Sequence, residues 1–379
     1  MKNYLTLVLA LAVVSSPAYA SRARLEALGE GKNGSYYIDD ARNMFLNPAS
    51  IAKNKKKLFL ELGGEVTAAD QDASGADSST SRPQGGFTNT LGDFTYAVYL
   101  NNVSDRAINT LTGGGLVAGL VAPTNSIEVA LAGEGAVNWG LSVFTGGNRN
   151  GVNTNTSYWA ARFGVEKDAA ALFGTVGISS KAVDGAKEIK GDLSLDLGAT
   201  YKIDSMTVYG RYSTVKATAN ASAIATGNEG KQNSYGVGAG WKKEMTKSTN
   251  MFTRVELAYS ELNNSNATVA ALKNHKLFNV PLVLGAETQA LSWLAIRGSI
   301  AQSLTGANIA GNSTYITTPT VGAGVGMTFG DIQIDGMVAS SAANGNIVDN
   351  TGFGTGTNSG SDFGFGDAMI SRIGLTYNF

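Results

Sequence analysis

The sequence predicts an all-β chain: a transmembrane antiparallel β-barrel of sixteen strands, with short turns at one rim and long loops at the other. Three observations predict it. Apolar and polar residues alternate in one short segment after another, the period of a strand with one face in an apolar phase. The links between these segments are alternately short and long along the chain, as a sheet crossing a bilayer requires. Charged residues are 16% of the chain, against 48 Gly. A soluble domain carries about a quarter charged residues, whereas a wall facing lipid cannot hold charge.

The first twenty residues read as an export leader. Lys2 is followed by an apolar run over residues 5–14, and Ala18-Tyr19-Ala20 is a small-x-small cleavage site, so the mature chain begins at Ser21. There is no Cys, which excludes a lipid anchor, disulfides and thiolate-ligated metal. After residue 20 no apolar run is long enough to span a bilayer as a helix. Residues 21–56 lack strand alternation and form a separate element, periplasmic or inserted into the lumen. Arg22 to Leu28 suit a helical turn or two, and Pro48 holds Asn47 out of helical geometry. Residues 57–379 are the barrel.

The strands follow in order. Leu58, Leu60 and Leu62 alternate with Phe59, Glu61 and Gly63; residues 83–90 are a weak strand; Phe94, Tyr96, Val98 and Leu100 alternate with Thr95, Ala97 and Tyr99. Further segments center on residues 127–131, 137–143, 158–166, 172–179, 193–201 and 206–219. Others lie at 235–241, 251–259, 278–289, 294–300, 321–329 and 332–338. The last sets Met369, Ile373, Leu375, Tyr377 and Phe379 against Ile370, Arg372, Gly374, Thr376 and Asn378, small or polar except for Ile370. Short links fall at 91–92, 135, 167–168, 204–205, 246–248, 291–292 and 330–331. Long ones fall at 67–82, 104–123, 147–153, 184–188, 220–231, 262–274, 305–317 and 343–366. An even count brings both termini to one rim and pairs the last strand with the first, with Arg372 beside Glu61. Fourteen strands is the alternative, because 83–90 is weak and Pro281 interrupts a ladder.

Nearly every charge within a strand has the inward parity. The set is Glu61, Glu128, Arg162, Glu166, Asp196, Arg211, Arg254, Glu256, Glu287, Arg297, Asp335 and Arg372. These are the candidate lumen-lining residues, either a transverse field acting on solutes or a salt-bridge lattice that stiffens the wall. Catalysis is not expected. The single His, His275, sits beside Asn274 and Lys276 at a loop foot, which leaves no nucleophile–base pair. Asp70, Asp72 and Asp77 lack calcium-loop spacing, so no metal and no cofactor are expected. Gly322-Ala-Gly-Val-Gly326 alternates within a strand and precedes no helix, so it is not a phosphate loop. Such glycines let the wall curve or leave room in the lumen. The apolar stretch 116–123 within the link 104–123 is a candidate constriction, subunit contact or hidden strand pair.

The ending on Phe379 resembles the closing strand of bacterial outer-membrane barrels. There Ile373, Leu375, Tyr377 and Phe379 would serve as the assembly signal read by the barrel assembly machinery. Asp39-Asp40-Ala41 and Met44-Phe45-Leu46-Asn47-Pro48-Ala49 resemble the segment before the first strand of FadL-like fatty-acid transporters, whose N-terminal region folds into the lumen as a hatch. In length, in this segment and in its ending, the chain is similar to the porin-like outer-membrane proteins of predatory Bdellovibrio-type bacteria. The location expected is the bacterial outer membrane. Three functions remain: a passive channel for small hydrophilic solutes, a FadL-like carrier of hydrophobic molecules, or a structural or adhesive surface barrel. Expected partners are outer-membrane lipid, the assembly machinery and further copies of the chain in a trimer or larger ring. Net charge near zero suggests no nucleic acid.

Overall fold

The computed structural model describes residues 21–64, 83–102, 125–150, 154–185, 187–221, 224–264, 275–309, 312–341 and 369–379. The expected leader, the links 67–82, 104–123 and 343–366, and Asp70, Asp72 and Asp77 lie outside them. From residue 57 the described chain is one antiparallel sheet closed on itself. Its strands are β1 (Lys57–Gly64), β2 (Gln84–Leu91), β3 (Phe94–Leu100), β4 (Asn125–Gly133), β5 (Asn138–Asn150), β6 (Thr154–Lys167) and β7 (Ala170–Asp184). Strand β8 comes in two pieces, Lys187–Gly191 and Ser194–Ile203. Both pair with β7 in one unbroken register, Ser180 opposite Gly191 and Gly177 opposite Ser194, so they count as one strand. Then come β9 (Met206–Ala221), β10 (Ile224–Thr246), β11 (Thr249–Asn264), β12 (His275–Leu291) and β13 (Leu294–Ile309). The set ends with β14 (Asn312–Phe329), β15 (Ile332–Ser341) and β16 (Met369–Asn378).

Each strand pairs with its sequence neighbour, and β16 returns to β1 with Leu60 opposite Leu375 and Leu62 opposite Ile373. The weak segment at 83–90 is a full member, and Pro281 sits within a paired strand opposite Ser303. That gives sixteen strands and sets aside fourteen. The short turns fall where expected. Asp168 and Asp204 (both φ +50°) and Gly92 and Gly330 (both φ +60°) take the left-handed conformation at the head of two-residue turns. A short Asp side chain tolerates that region by bonding locally.

Four of the expected long loops are largely strand. Residues 147–150, 220–221, 224–231, 305–309 and 312–317 continue their ladders, and β10 alone runs for 23 residues. Crossing a bilayer takes about 9–11. Beyond the bilayer both faces of a strand meet water, so the hydropathy alternation that betrays a strand vanishes while backbone pairing continues. The same applies at 184–188, where β7 and β8 meet around Gly185.

The outward face is apolar. Leu60, Val129, Leu141, Val143, Leu172, Leu257, Ile296 and Ile373 are 49–59% exposed, an arrangement stable only in an apolar solvent. Two aromatic girdles bound this belt. Tyr212, Tyr235, Tyr259 and Phe278 lie opposite one another across β9–β12. At the short-turn rim Trp293 stacks on Phe329 and Tyr377 lies against Phe379. An apolar belt between aromatic girdles on a closed sheet is an outer-membrane β-barrel. Ile373, Leu375, Tyr377 and Phe379 share the outward parity of the closing strand.

Candidate functional site inside the barrel

Residues 21–56 lie inside the barrel, and their local structure follows from their capping residues. Ser21 caps α1 (Arg22–Ala27), its hydroxyl accepting from Arg24 N. Gly29, at φ +80°, closes the helix: Gly29 N donates to Glu26 O and Glu30 N to Leu25 O, the paired bonds of a Schellman end. Asp40 and Asn47 cap two 3₁₀ turns, Ala41–Phe45 and Pro48–Lys53, with Pro48 at the first position, where its missing N–H costs nothing.

The segment is packed on both its apolar and its polar sides. Leu25, Leu28, Tyr37 and Ile38 bury against Phe252 of β11. Met44, Phe45 and Ile51 bury against Phe59, Ala97, Tyr99 and Ala130. Each large aliphatic or Phe side chain so buried stabilises the seat by about 1.5–3 kcal/mol. The wall is recessed to receive it. A Cβ at Gly140 would stand 2.3 Å from the Pro48 carbonyl, one at Gly240 2.2 Å from the Tyr37 ring, and one at Gly324 2.7 Å from Ala27 Cβ. Gly322 and Gly324 thus make room for this helix, and Gly326 for the Arg297 guanidinium beside Asp335.

Charge completes the seat. Arg24, 1% exposed, grips Glu287 of β12 with two bonds, 2.9 and 3.1 Å, and Asp40 at 3.0 Å. Glu287 also accepts from Arg297 of β13 at 2.5 Å, and Arg297 bonds Asp335 of β15 at 2.5 Å. Asp335 accepts in turn from the Ser21 hydroxyl at 2.8 Å. Arg42 bonds Glu61 of β1 at 2.5 Å and donates to Asn102 and the Tyr99 hydroxyl, with its guanidinium 4.7 Å above the Phe45 ring. Glu26 pairs with Arg372, Glu30 with Arg254 at 2.9 Å, and Lys53 with Glu166. Burial opposes the charge on Arg24, but Glu287 and Asp40 outweigh it and hold the guanidinium above its ordinary value. Arg42 behaves likewise, burial being outweighed chiefly by Glu61. Burial and then Glu30 push the Tyr37 phenol up, so it stays a neutral donor to Glu30.

All twelve predicted residues project inward. Seven of them bond residues 21–56 or share a carboxylate that does: Glu61, Glu166, Arg254, Glu287, Arg297, Asp335 and Arg372. Two pairs are confined to the wall. Glu128 takes Arg162 and the Ser142 hydroxyl, with Arg162 4.0 Å over Phe144. Glu256 takes Arg211 at 2.7 Å and Tyr209 at 2.8 Å, and it also accepts from Arg254 at 3.3 Å. Asp196 is half-buried on β8, opposite Thr175 and Ser213. At the seam Glu61 lies opposite Gly374 and Arg372 opposite Gly63, and in place of the expected pair the plug's Arg42 and Glu26 engage them. His275 opens β12 opposite Leu262. Sequence reasoning missed the plug's own half of these pairs: Arg24, Glu26, Glu30, Asp40 and Arg42. The signal was there in a short segment rich in both signs, with Arg22 and Glu26 at helical spacing and Ser, Asp and Asn at cap positions.

On the β6–β8 side the fit is open. A cleft of about 390 Å³ separates plug from wall, lined by Asp39, Asn43, Asn47, Lys53 and Glu166 and by apolar Leu46 and Phe173 among others.

By sequence, no family and no curated protein matches the chain. By structure it is similar to a bacterial polysaccharide outer membrane secretin, at TM-score 0.49 and 8% identity over 86% of this chain and 99% of that one. It is also similar to a Pseudomonas aeruginosa FadL homologue (0.41, 10%, 95% and 98%) and to the CymD monoaromatic hydrocarbon channel (0.42, 13%, 97% and 99%). Likeness at this level says nothing of activity, and the similarity to Bdellovibrio-type proteins finds no support in it. The chain is an outer-membrane β-barrel with its N-terminal segment ion-paired into the lumen.

Proposed function

We propose that the chain is an outer-membrane channel that passes small hydrophilic solutes passively, with residues 21–56 as a plug that narrows the lumen. The observation that carries this reading is the cleft beside the plug, where the amides, carboxylates and ammonium groups of Asn43, Asn47, Asp39, Glu166 and Lys53 stand beside Tyr36, Leu46, Ala171 and Phe173. A route that carries these charged and amide groups suits solutes that hydrogen-bond. The apolar side chains inside the barrel, such as Leu25, Leu28 and Phe252, are packed plug against wall, so they hold the plug rather than a ligand. This favours the channel over a carrier of hydrophobic molecules. The apolar belt supports outer-membrane lipid as the surrounding partner, and the exposed Phe379 supports capture by the assembly machinery. A trimer or larger ring would use the small outward residues Gly298 and Ala323, opposite one another on β13 and β14, and Gly336 of β15, opposite Val325.

Liposome swelling tests the reading. Vesicles carrying the protein should swell in iso-osmotic small sugars and amino acids, more slowly as solute size rises. Swelling no faster than in protein-free vesicles would sink it, and fatty-acid uptake without swelling would favour the carrier.

A further inference from the structure

Ser21 is wholly buried where the plug begins. Its hydroxyl donates to Asp335 Oδ2 at 2.8 Å, and the next peptide N–H, of Arg22, donates to Glu61 Oε1 at 2.8 Å. A Cβ at Gly374 would stand 2.8 Å from the Ser21 Cβ, so the residue is wedged against the closing strand. Asp335 of β15 thus bonds Ser21 itself, and Glu61 of β1 bonds the peptide N–H that follows it. Each carboxylate has its second oxygen on a guanidinium, Asp335 on Arg297 and Glu61 on Arg42. Asp335 Oδ2, on the Ser21 hydroxyl, and Glu61 Oε1, on the next peptide N–H, are the oxygens without a cationic partner among these bonds.

We propose that hydrolysis of the Ala20–Ser21 peptide bond creates the plug's anchor. Water adds across the bond: Ala20 leaves as a carboxylate, and Ser21 keeps its nitrogen as an α-ammonium between Asp335 and Glu61. A free α-amino group titrates near pH 7.7–8.0, and two adjoining carboxylates favour its charged form. A charge-assisted bond is about twice as strong as the neutral amide's, and an amide that continues into a leader cannot supply it. Processing at this site is thus more than export bookkeeping: it converts residue 21 into a cation at the point where the plug meets the seam. The inference concerns how the plug is seated and holds whether or not the lumen conducts.

The chain beginning at Ser21, and the same chain acetylated on the Ser21 nitrogen, would each be folded in detergent micelles. Two readouts apply: hydrogen exchange of amides 22–54, and labelling of the α-amine by an amine-reactive probe at neutral pH, located by mass spectrometry. The free chain should resist labelling at Ser21 when folded and label readily when denatured. The acetylated chain should form the same barrel but exchange its plug amides roughly 10- to 100-fold faster, the range for losing one bond to a charged group. Equal protection of the two plugs would overturn the proposal. So would α-amine labelling in the folded barrel at the denatured rate, a result readable even if the acetylated chain does not fold.

Discussion

Replacing Arg24 with Met keeps most of its apolar stem and removes its charge. Arg24 is 1% exposed and makes two bonds to Glu287 and one to Asp40. Its loss leaves Glu287 with Arg297 but strips Asp40, 6% exposed, of its guanidinium. Breaking a buried pair by deleting one partner costs about 3–5 kcal/mol, because the other charge stays buried. The plug can answer by leaving its seat, so the cost appears as a shift in the seated population. At about 1.4 kcal/mol per tenfold, that is a loss in seating of between about 10²-fold and about 4 × 10³-fold. Hydrogen exchange by mass spectrometry measures it directly: amides of residues 22–46 should exchange faster by that factor, while the ladders of β12 and β13 keep their protection. Acceleration below about threefold, or equal acceleration in plug and barrel, would refute the view that this guanidinium holds the plug to the wall.

Other substitutions probe the remaining parts of the account. Gly140→Val would drive a side chain into the Pro48 carbonyl, 2.3 Å from its Cβ; overpacking costs about 1–3 kcal/mol. Limited proteolysis should then cut within residues 41–54 while the barrel survives. Leu141→Arg places a charge on the lipid face, where Leu141 is 57% exposed; refolding into vesicles under urea should show a loss of about 2–4 kcal/mol if the site is at mid-depth. Ser142→Arg, on the same strand but inward, should spare that bilayer penalty and instead disturb Glu128, seen as altered cation selectivity in bilayer recordings. Removing the terminal Phe379 should slow assembly in cells while leaving the stability of already folded barrel within about 0.5 kcal/mol, the usual range for an exposed site.

The barrel was legible because the bilayer imposes a strict parity: Leu60 out and Glu61 in, Ile296 out and Arg297 in. That rule fails where the bilayer ends, so the outer ends of β9, β10, β13 and β14, at 220–221, 224–231, 305–309 and 312–317, read as loops. Thr, Asn and Gly there satisfy strand pairing without any hydropathy signature. The inward charges were legible one by one, yet their partners were not. Glu287 and Arg24 are 263 residues apart, and no periodicity links them. Asp40 and Asn47 are visible as caps, but a sequence does not say that short capped turns will pack against a recess at Gly140 or Gly240. The plug's place is decided by long-range fit and charge pairing, which emerge only once the wall has closed.

Single-channel conductance of a stapled plug tests the central claim most directly. The chain has no Cys, so Ala27→Cys with Gly324→Cys introduces one pair. The Gly324 Cβ would stand 2.7 Å from that of Ala27, about 1 Å short of the usual disulfide spacing. Recorded in planar bilayers, the oxidised protein should show small, steady steps and the reduced protein larger or more variable ones, while a chain lacking residues 22–53 should show the largest. Identical steps in all three would contradict a plug that sets the width of the route.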